Sequence, residues 1–182
     1  MSGLTEQIVH AARRGEPAAI ADVYRLLAPS VAGYFRSRGC EDPDGLTNEV
    51  FIAVIPKLPE LTGGVAGLRS LTFSIAHARL VDDVRRRARQ PLHLVYDPDD
   101  DDRTEPSAET DALARGEHAW AIRLLAELPA DQAEVIRLRV LGDLSIAQTA
   151  AILGRSDGAI KQLQRRALIT LKDLLVRAGV TP

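Results

Sequence analysis

Along most of the chain apolar side chains return every third or fourth position, the period of a helix, and nowhere do they alternate as in a half-buried strand. Ser2 or Thr5 stands where a helix N-cap is needed, Gly15 where that helix ends, and Pro17 suits the first turn of the next. Asp42 and Pro43 supply a further N-cap and N1 pair, after which Leu46, Val50 and Val54 form one apolar stripe that Pro56 stops. Pro59, Gly63, Gly64 and Gly67 predict a loop. The long helix that follows is expected to turn Leu68, Leu71, Ile75, Ala78 and Val81 inward and to carry Arg85, Arg86, Arg87 and Arg89 at its far end.

A second helical block repeats the logic with different punctuation. Leu113, Trp120, Leu124 and Leu128 mark a helix broken at Pro129, and Trp120 reads as a core residue. Asp131 to Leu141 is expected to end at Gly142. Ser145 and Gln148 form the S-x-x-Q capping box of a helix running to Leu153, Gly154 turns the chain, and Ser156 caps the last helix. The class expected is all-α, as two small helical domains at 1–90 and 112–182. Between them, residues 91–111 read as a flexible, disordered acidic linker. Asp97 and Asp99 to Asp102 put five acids into six positions, with Pro98 as the sixth and Pro106 following, a composition that repels itself and buries nothing.

Charge sharpens this division. The net charge of -2 over 182 residues would argue against a nucleic-acid partner, yet it averages two blocks that each carry an excess of two basic residues and a middle segment that is strongly acidic. No apolar run approaches the roughly 18 residues a membrane span needs. The N-terminus lacks the pattern of a secretory signal, and the single Cys40 cannot form an internal disulfide, so a cytoplasmic location is expected. His10, His77, His93 and His118 show no ligand spacing among themselves or with Cys40, so neither metal nor cofactor is expected. Asp82 and Asp83 diverge by about 100° on a helix and read as surface and cap residues rather than paired catalytic acids. Nothing resembles a P-loop, a nucleophile elbow or a dinucleotide fingerprint, and the chain is not expected to be an enzyme.

The most specific pattern lies between Ser145 and Leu171. Ala150, Gly154, Ile160 and Leu163 fall where a helix-turn-helix needs a small residue for close packing, a left-handed turn and two buried anchors. If Ile160, Leu163, Ala167 and Leu171 face inward, Gln162, Arg165 and Arg166 stand opposite with Lys161 on a flank. Arginine can pair with guanine and glutamine with adenine, while Ser156 and the helix N-terminus can hold a phosphate. The arginine run ending the long helix of the first block is less specific, since basic residues at a helix C-terminus also complement the helix dipole.

These motifs together resemble the extracytoplasmic-function (ECF) sigma factors of bacterial RNA polymerase. Leu128-Pro129-Ala130-Asp131-Gln132-Ala133-Glu134-Val135, Leu144 to Ala150 and Gly158-Ala159-Ile160-Lys161 resemble sigma region 4. Leu46-Thr47-Asn48-Glu49-Val50-Phe51 resembles region 2.2, and Leu68 to Arg79, with Val81-Asp82 and the arginine run, resembles regions 2.3 and 2.4. The pattern departs at Leu71, where a tryptophan is usual, at Gly45, where an acid is usual, and at Arg155, where an apolar residue is common. The resemblance implies a core polymerase contact on the clamp helices of the largest subunit through Asp44, Thr47, Asn48, Glu49 and Phe51. It implies minus 10 recognition by Lys57, Arg69, His77, Arg79, Arg85, Arg86 and Arg87. Minus 35 recognition falls to Arg155, Ser156, Gly158, Lys161, Gln162, Arg165 and Arg166. The partners implied are the polymerase core, including its beta flap, promoter DNA and, as a further candidate, an anti-sigma factor. A helix-turn-helix regulator that binds operator DNA without the polymerase is the alternative, and the first block weighs against it by having neither a sensor pocket nor a receiver pattern.

Overall fold

The computed structural model describes residues 3–89 and 120–179. The first unit comprises α1 (Glu6–Arg13), α2 (Pro17–Arg36), α3 (Pro43–Val54), a 3-10 turn (Ile55–Lys57) and α4 (Gly64–Arg89). In the second unit residues 120–126 are helical (α5), and α6 (Ala130–Val140), α7 (Ile146–Leu153) and α8 (Asp157–Arg177) follow. Among the described residues there is no strand, and the all-α class stands. The expected linker at 91–111 and Leu113 lie outside the described residues.

The helix ends are set by the residues the sequence offers for them. Thr5 Oγ1 accepts the Ile8 amide at 3.3 Å and Asp42 Oδ1 the Gly45 amide at 2.8 Å, each meeting an amide that its helix leaves unpaired. Gly15 closes α1 with φ at 81°, in the left-handed region that favours glycine. Within the first unit α2 packs on α1 and α3, and α4 lies across α3. Val23, Leu27, Val31 and Phe35 of α2, Leu46, Val50, Phe51 and Val54 of α3, and Leu68, Phe73, Ala76 and Leu80 of α4 form one core. Burying each such side chain contributes about 1.5–3 kcal/mol, which is what makes these helices stable as a group and not singly.

Three expectations are corrected by the packing. First, α4 begins at Gly64, so Gly64 and Gly67 belong to its first turns and not to the preceding loop. Glu6 of α1 reaches over to accept the Val65 amide at 3.0 Å, and a Cβ on Gly67 would sit 1.9 Å from the Thr62 carbonyl oxygen, a closeness only glycine allows. Second, the inward face of α4 is Leu68, Thr72, Phe73, Ala76 and Leu80, with Ala78 exposed and Val81 only half-buried. The stripe is rotated because α4 is covered on two sides, by α3 and by the second unit. Third, Trp120 stands 38% exposed, because the core contact is made later, where Leu125 and Leu128 meet Ala133, Ile136, Ala167 and Leu171.

The second unit has two small cores of its own, the cluster just named and Val135, Ala150 and Ile160 where α6, α7 and α8 meet. Leu138 and Leu144, however, are buried in the core of the first unit. As a result α6 is enclosed from residue 133 to residue 138, including two charged side chains, Glu134 and Arg137. An amphipathic helix covered on one side only would expose both.

Candidate nucleic-acid interface

The helix-turn-helix is assembled by local chemistry. Gln148 Oε1 accepts the Ser145 amide at 2.8 Å while Ser145 Oγ accepts the Gln148 amide at 3.2 Å, a complete capping box. Gly154 ends α7 in the left-handed conformation with φ at 62°, and the Arg155 amide reaches back to the Ala150 carbonyl at 3.0 Å. Ser156 then caps α8, accepting the Ala159 amide at 3.2 Å. Ile160 and Ala167 are fully buried, so Lys161, Gln162, Arg165 and Arg166 are turned to solvent together. Gly158 and Ser156 are exposed at the helix entrance. Arg155 is less free, since its Nη2 is 2.5 Å from Asp131 Oδ2 on α6.

The residues expected to meet the minus 10 element are divided by the structure. Lys57 is exposed beside an open groove of about 630 Å³ that also involves Thr62, Ala66, Ser70, Leu71 and Ser74. Arg85 is exposed, with no acidic partner among the described residues. Arg79 lies 3.7 Å from Glu49 Oε2 on α3. Arg86 and Arg87 both clasp Asp83, the first at 2.5 Å, and Arg87 also donates to the Gly39 carbonyl at 3.2 Å. Asp83, read above as a surface acid, is only 4% exposed, because two guanidinium groups fold over it. Arg69 and His77 face the second unit, Arg69 Nε at 3.8 Å from Asp143 and His77 Nδ1 at 3.3 Å from Glu134.

Of the residues expected to contact polymerase, Asp44, Asn48 and Glu49 are exposed on α3. Asp44 pairs with Arg36 at 2.8 Å, and Asn48 Oδ1 accepts the Tyr24 hydroxyl at 2.8 Å. Thr47 and Phe51 are not available to a partner. Thr47 is buried and donates to the Pro43 carbonyl at 2.7 Å, and Phe51 is 2% exposed with its ring 4.8 Å from that of Tyr24. The helical period explains the correction: Phe51 follows Thr47 and Val50 on the inward face, whereas Ile52, unremarked in the sequence, is 73% exposed next to Asn48 and Glu49.

The sequence reading also missed a buried polar cluster. The Tyr34 hydroxyl donates to Glu134 Oε1 at 2.5 Å and lies 3.0 Å from His77 Nδ1. Arg38 Nε and Arg137 Nη1 each stand 3.7 Å from Glu134 Oε2, and Arg137 Nη2 donates to the Ser37 carbonyl at 3.2 Å. Its only signal in the sequence is a pair of charges, Glu134 and Arg137, one helical turn apart among Val135, Ile136 and Leu138. Burial pushes the Tyr34 phenol well above its ordinary value, with the Glu134 charge adding to the effect. Burial alone would raise the Glu134 carboxyl, but hydrogen bonds from His77 and Tyr34 and the charges of Arg38 and His77 outweigh it, and the net shift is downward.

A carboxyl lowered by folding stabilises above its unfolded value, near 4.3, and that contribution is lost as pH falls through the lower folded value. Thermal melts at pH 7 and pH 3 should therefore show Glu134→Gln clearly less stable than wild type at pH 7, with the gap closing at pH 3. A gap of constant size would mean that the Glu134 charge contributes nothing.

Among the described residues no three His, Cys, Asp or Glu side chains gather as metal ligands, and no helix is long and apolar enough to cross a membrane. The fold defines an all-helical class, with a helix-turn-helix in one unit and a second helical unit that exposes both basic and acidic side chains. The description "Sigma-70, region 4" matches residues 118–171. The chain is 33% identical over 179 residues to the ECF RNA polymerase sigma factor ShbA of Streptomyces griseus, covering 92% of this chain and 93% of that protein. It is 30% identical over 180 residues to the ECF RNA polymerase sigma factor SigD of Mycobacterium tuberculosis, covering 96% and 85%. Its fold is also that of CnrH, solved in complex with the cytosolic domain of CnrY, with a TM-score of 0.63, 23% identity and coverage of 94% and 97%. The chain belongs to the ECF RNA polymerase sigma factors.

Proposed function

We propose that this sigma factor directs core polymerase to promoters carrying a two-part element, with α8 reading the minus 35 half in the major groove. The observation that carries the reading is the exposed face of Lys161, Gln162, Arg165 and Arg166, set rigidly by Ile160, Ala167 and the Gly154 turn. In this reading 1–90 is region 2, 112–182 is region 4 and 91–111 joins them. The exposed side of α3, with Asp44, Asn48 and Glu49, docks on the clamp helices of the largest subunit. Region 4 meets the beta flap. The groove beside Lys57 has the size to take an unpaired base of the minus 10 half, and Leu71 gives it an aliphatic wall where a stacking aromatic would otherwise stand. Strand opening is driven by binding energy, phosphate contacts and the captured base, while nucleotide addition belongs to the polymerase. An anti-sigma factor is carried as a proposed partner on family membership alone.

Run-off transcription with purified core polymerase on a genomic library, followed by start-site mapping, tests the proposal. Starts that share two conserved blocks upstream and depend on the added chain are expected. Starts identical to those of core alone would overturn it, and tight sequence-specific retention of the free chain in a mobility shift at physiological salt would favour the operator-binding regulator.

A further inference from the structure

Next to the groove at Lys57 lies a second hollow, of about 440 Å³, on the outer face of α1. Val9 and Ala12 anchor α1 in the core, which turns Glu6, His10 and Arg13 outward as one stripe at positions i, i+4 and i+7. The charges of this face are not equally available. Glu6 is committed to the fold, because its Oε1 accepts the Val65 amide at 3.0 Å and so caps the first turn of α4. Arg14 is committed as well, held to Glu16 at 2.5 Å and donating to His10 Nδ1. An arginine can only donate, so His10 Nδ1 is the acceptor and the ring keeps its N–H on Nε2. Arg13 is exposed and has no acidic partner among the described residues. The hollow therefore offers an unpaired guanidinium and an imidazole N–H, with Gly64 on its opposite side.

The two hollows meet at a pair of glycines. Gly63 lines the groove and Gly64 the hollow on α1, and both have positive φ, at 79° and 57°. Neither raises a side chain between the two spaces, and at Gly64 one is barred, since a Cβ would stand 2.2 Å from Glu6 Oε2. We infer that a single DNA strand crosses this saddle, and that Arg13 and His10 of α1 hold the phosphate next to the base captured in the groove. The inference rests on the assignment of the groove proposed above. A phosphate fits the lining better than a base does. No Phe, Tyr or Trp lines the hollow, and its one apolar side chain, Val9, is 1% exposed. Bases of a single strand are held by stacking on such rings, and their phosphates by cations. The α1 site thus adds affinity without reading sequence. It serves a melted strand, because the groove at the other end of the saddle takes an unpaired base.

The test uses the full chain bound to core polymerase, titrated against fluorescent single-stranded oligonucleotides carrying the minus 10 sequence. A short one ends at the captured base, and two longer ones extend it on one side or the other by abasic sugar-phosphates. One of the two extensions is expected to raise affinity severalfold. Arg13→Ala combined with His10→Ala should remove that gain while leaving the short oligonucleotide and the capture of core polymerase unaffected, and Arg13→Lys, which keeps the charge, should retain most of it. The paired variant should also reduce the slope of log affinity against log salt by about 0.7 for the extended oligonucleotide, the share of one phosphate on a single strand. No gain from either extension, or a gain that the paired variant keeps, would overturn the inference. Loss of core polymerase from the paired variant in a pull-down would overturn it too, by making this face a protein contact. The groove assignment is tested separately by Ser70→Tyr, which puts a ring into the groove and should weaken binding of the short oligonucleotide. If it does not, that assignment falls, while an extension gain lost in the α1 variant would still place a phosphate on α1.

Discussion

Phe51→Ala should destabilise the protein by about 3–5 kcal/mol, the usual cost of removing a fully buried aromatic ring, and much of that loss would come from a cavity beneath Tyr24. Urea unfolding would show it as a lower midpoint. The paired substitution Glu49→Lys with Ile52→Asp should lower the midpoint only slightly, because Ile52 stands in water and Glu49 gives up only an exposed pair with Arg79, yet abolish capture of core polymerase in a pull-down. The two results separate a residue that shapes α3 from residues that α3 presents. If Phe51→Ala kept its midpoint and lost the polymerase, the ring would be a contact after all. If the exposed pair had no effect on capture, α3 would not be the docking helix.

The second large effect is expected on α8. Arg165→Ala should reduce discrimination at one promoter position by about 1–3 kcal/mol if its guanidinium pairs with a base edge. Lys161→Ala should weaken binding to all promoter variants about equally and lower the salt dependence by roughly one counterion if it meets a phosphate. Both residues are exposed and neither supports the core, so these substitutions should act without unfolding the unit. The check is a set of open-complex titrations on single-position promoter variants at two salt concentrations. Equal losses on every variant for both substitutions would show that neither reads a base.

What the sequence made legible was what neighbouring residues decide among themselves. The Ser145 and Gln148 box, the Gly154 turn, the Ser156 cap and the exposed face of α8 follow from spacing within one or two turns, and they are where the reading placed them. The face of α4 was not legible, because Ala78 and Val81 satisfy the helical period as well as Ala76 and Leu80 do. The choice between them is made by α3 and the second unit. The same holds for Asp83, Glu134 and Arg137: an acid or arginine in a helix reads as solvated until a distant segment closes over it. Phe51 went wrong for a simpler reason, since a residue can belong to a recognisable motif by holding the motif's helix in place.

The clasp of Arg86 and Arg87 on Asp83 bears on how the arginine run should be counted. A cation that neutralises a phosphate sheds a condensed counterion from the DNA, and the number shed sets how steeply affinity falls with salt. Two guanidinium groups folded over a buried carboxylate amount to one net positive charge spread over the last turns of α4, and each would have to leave Asp83 to reach a phosphate. The run therefore carries a smaller electrostatic valence than its letters suggest. Under the function proposed above, the first unit would draw correspondingly less on charge in attaching to duplex DNA and more on shape and base identity.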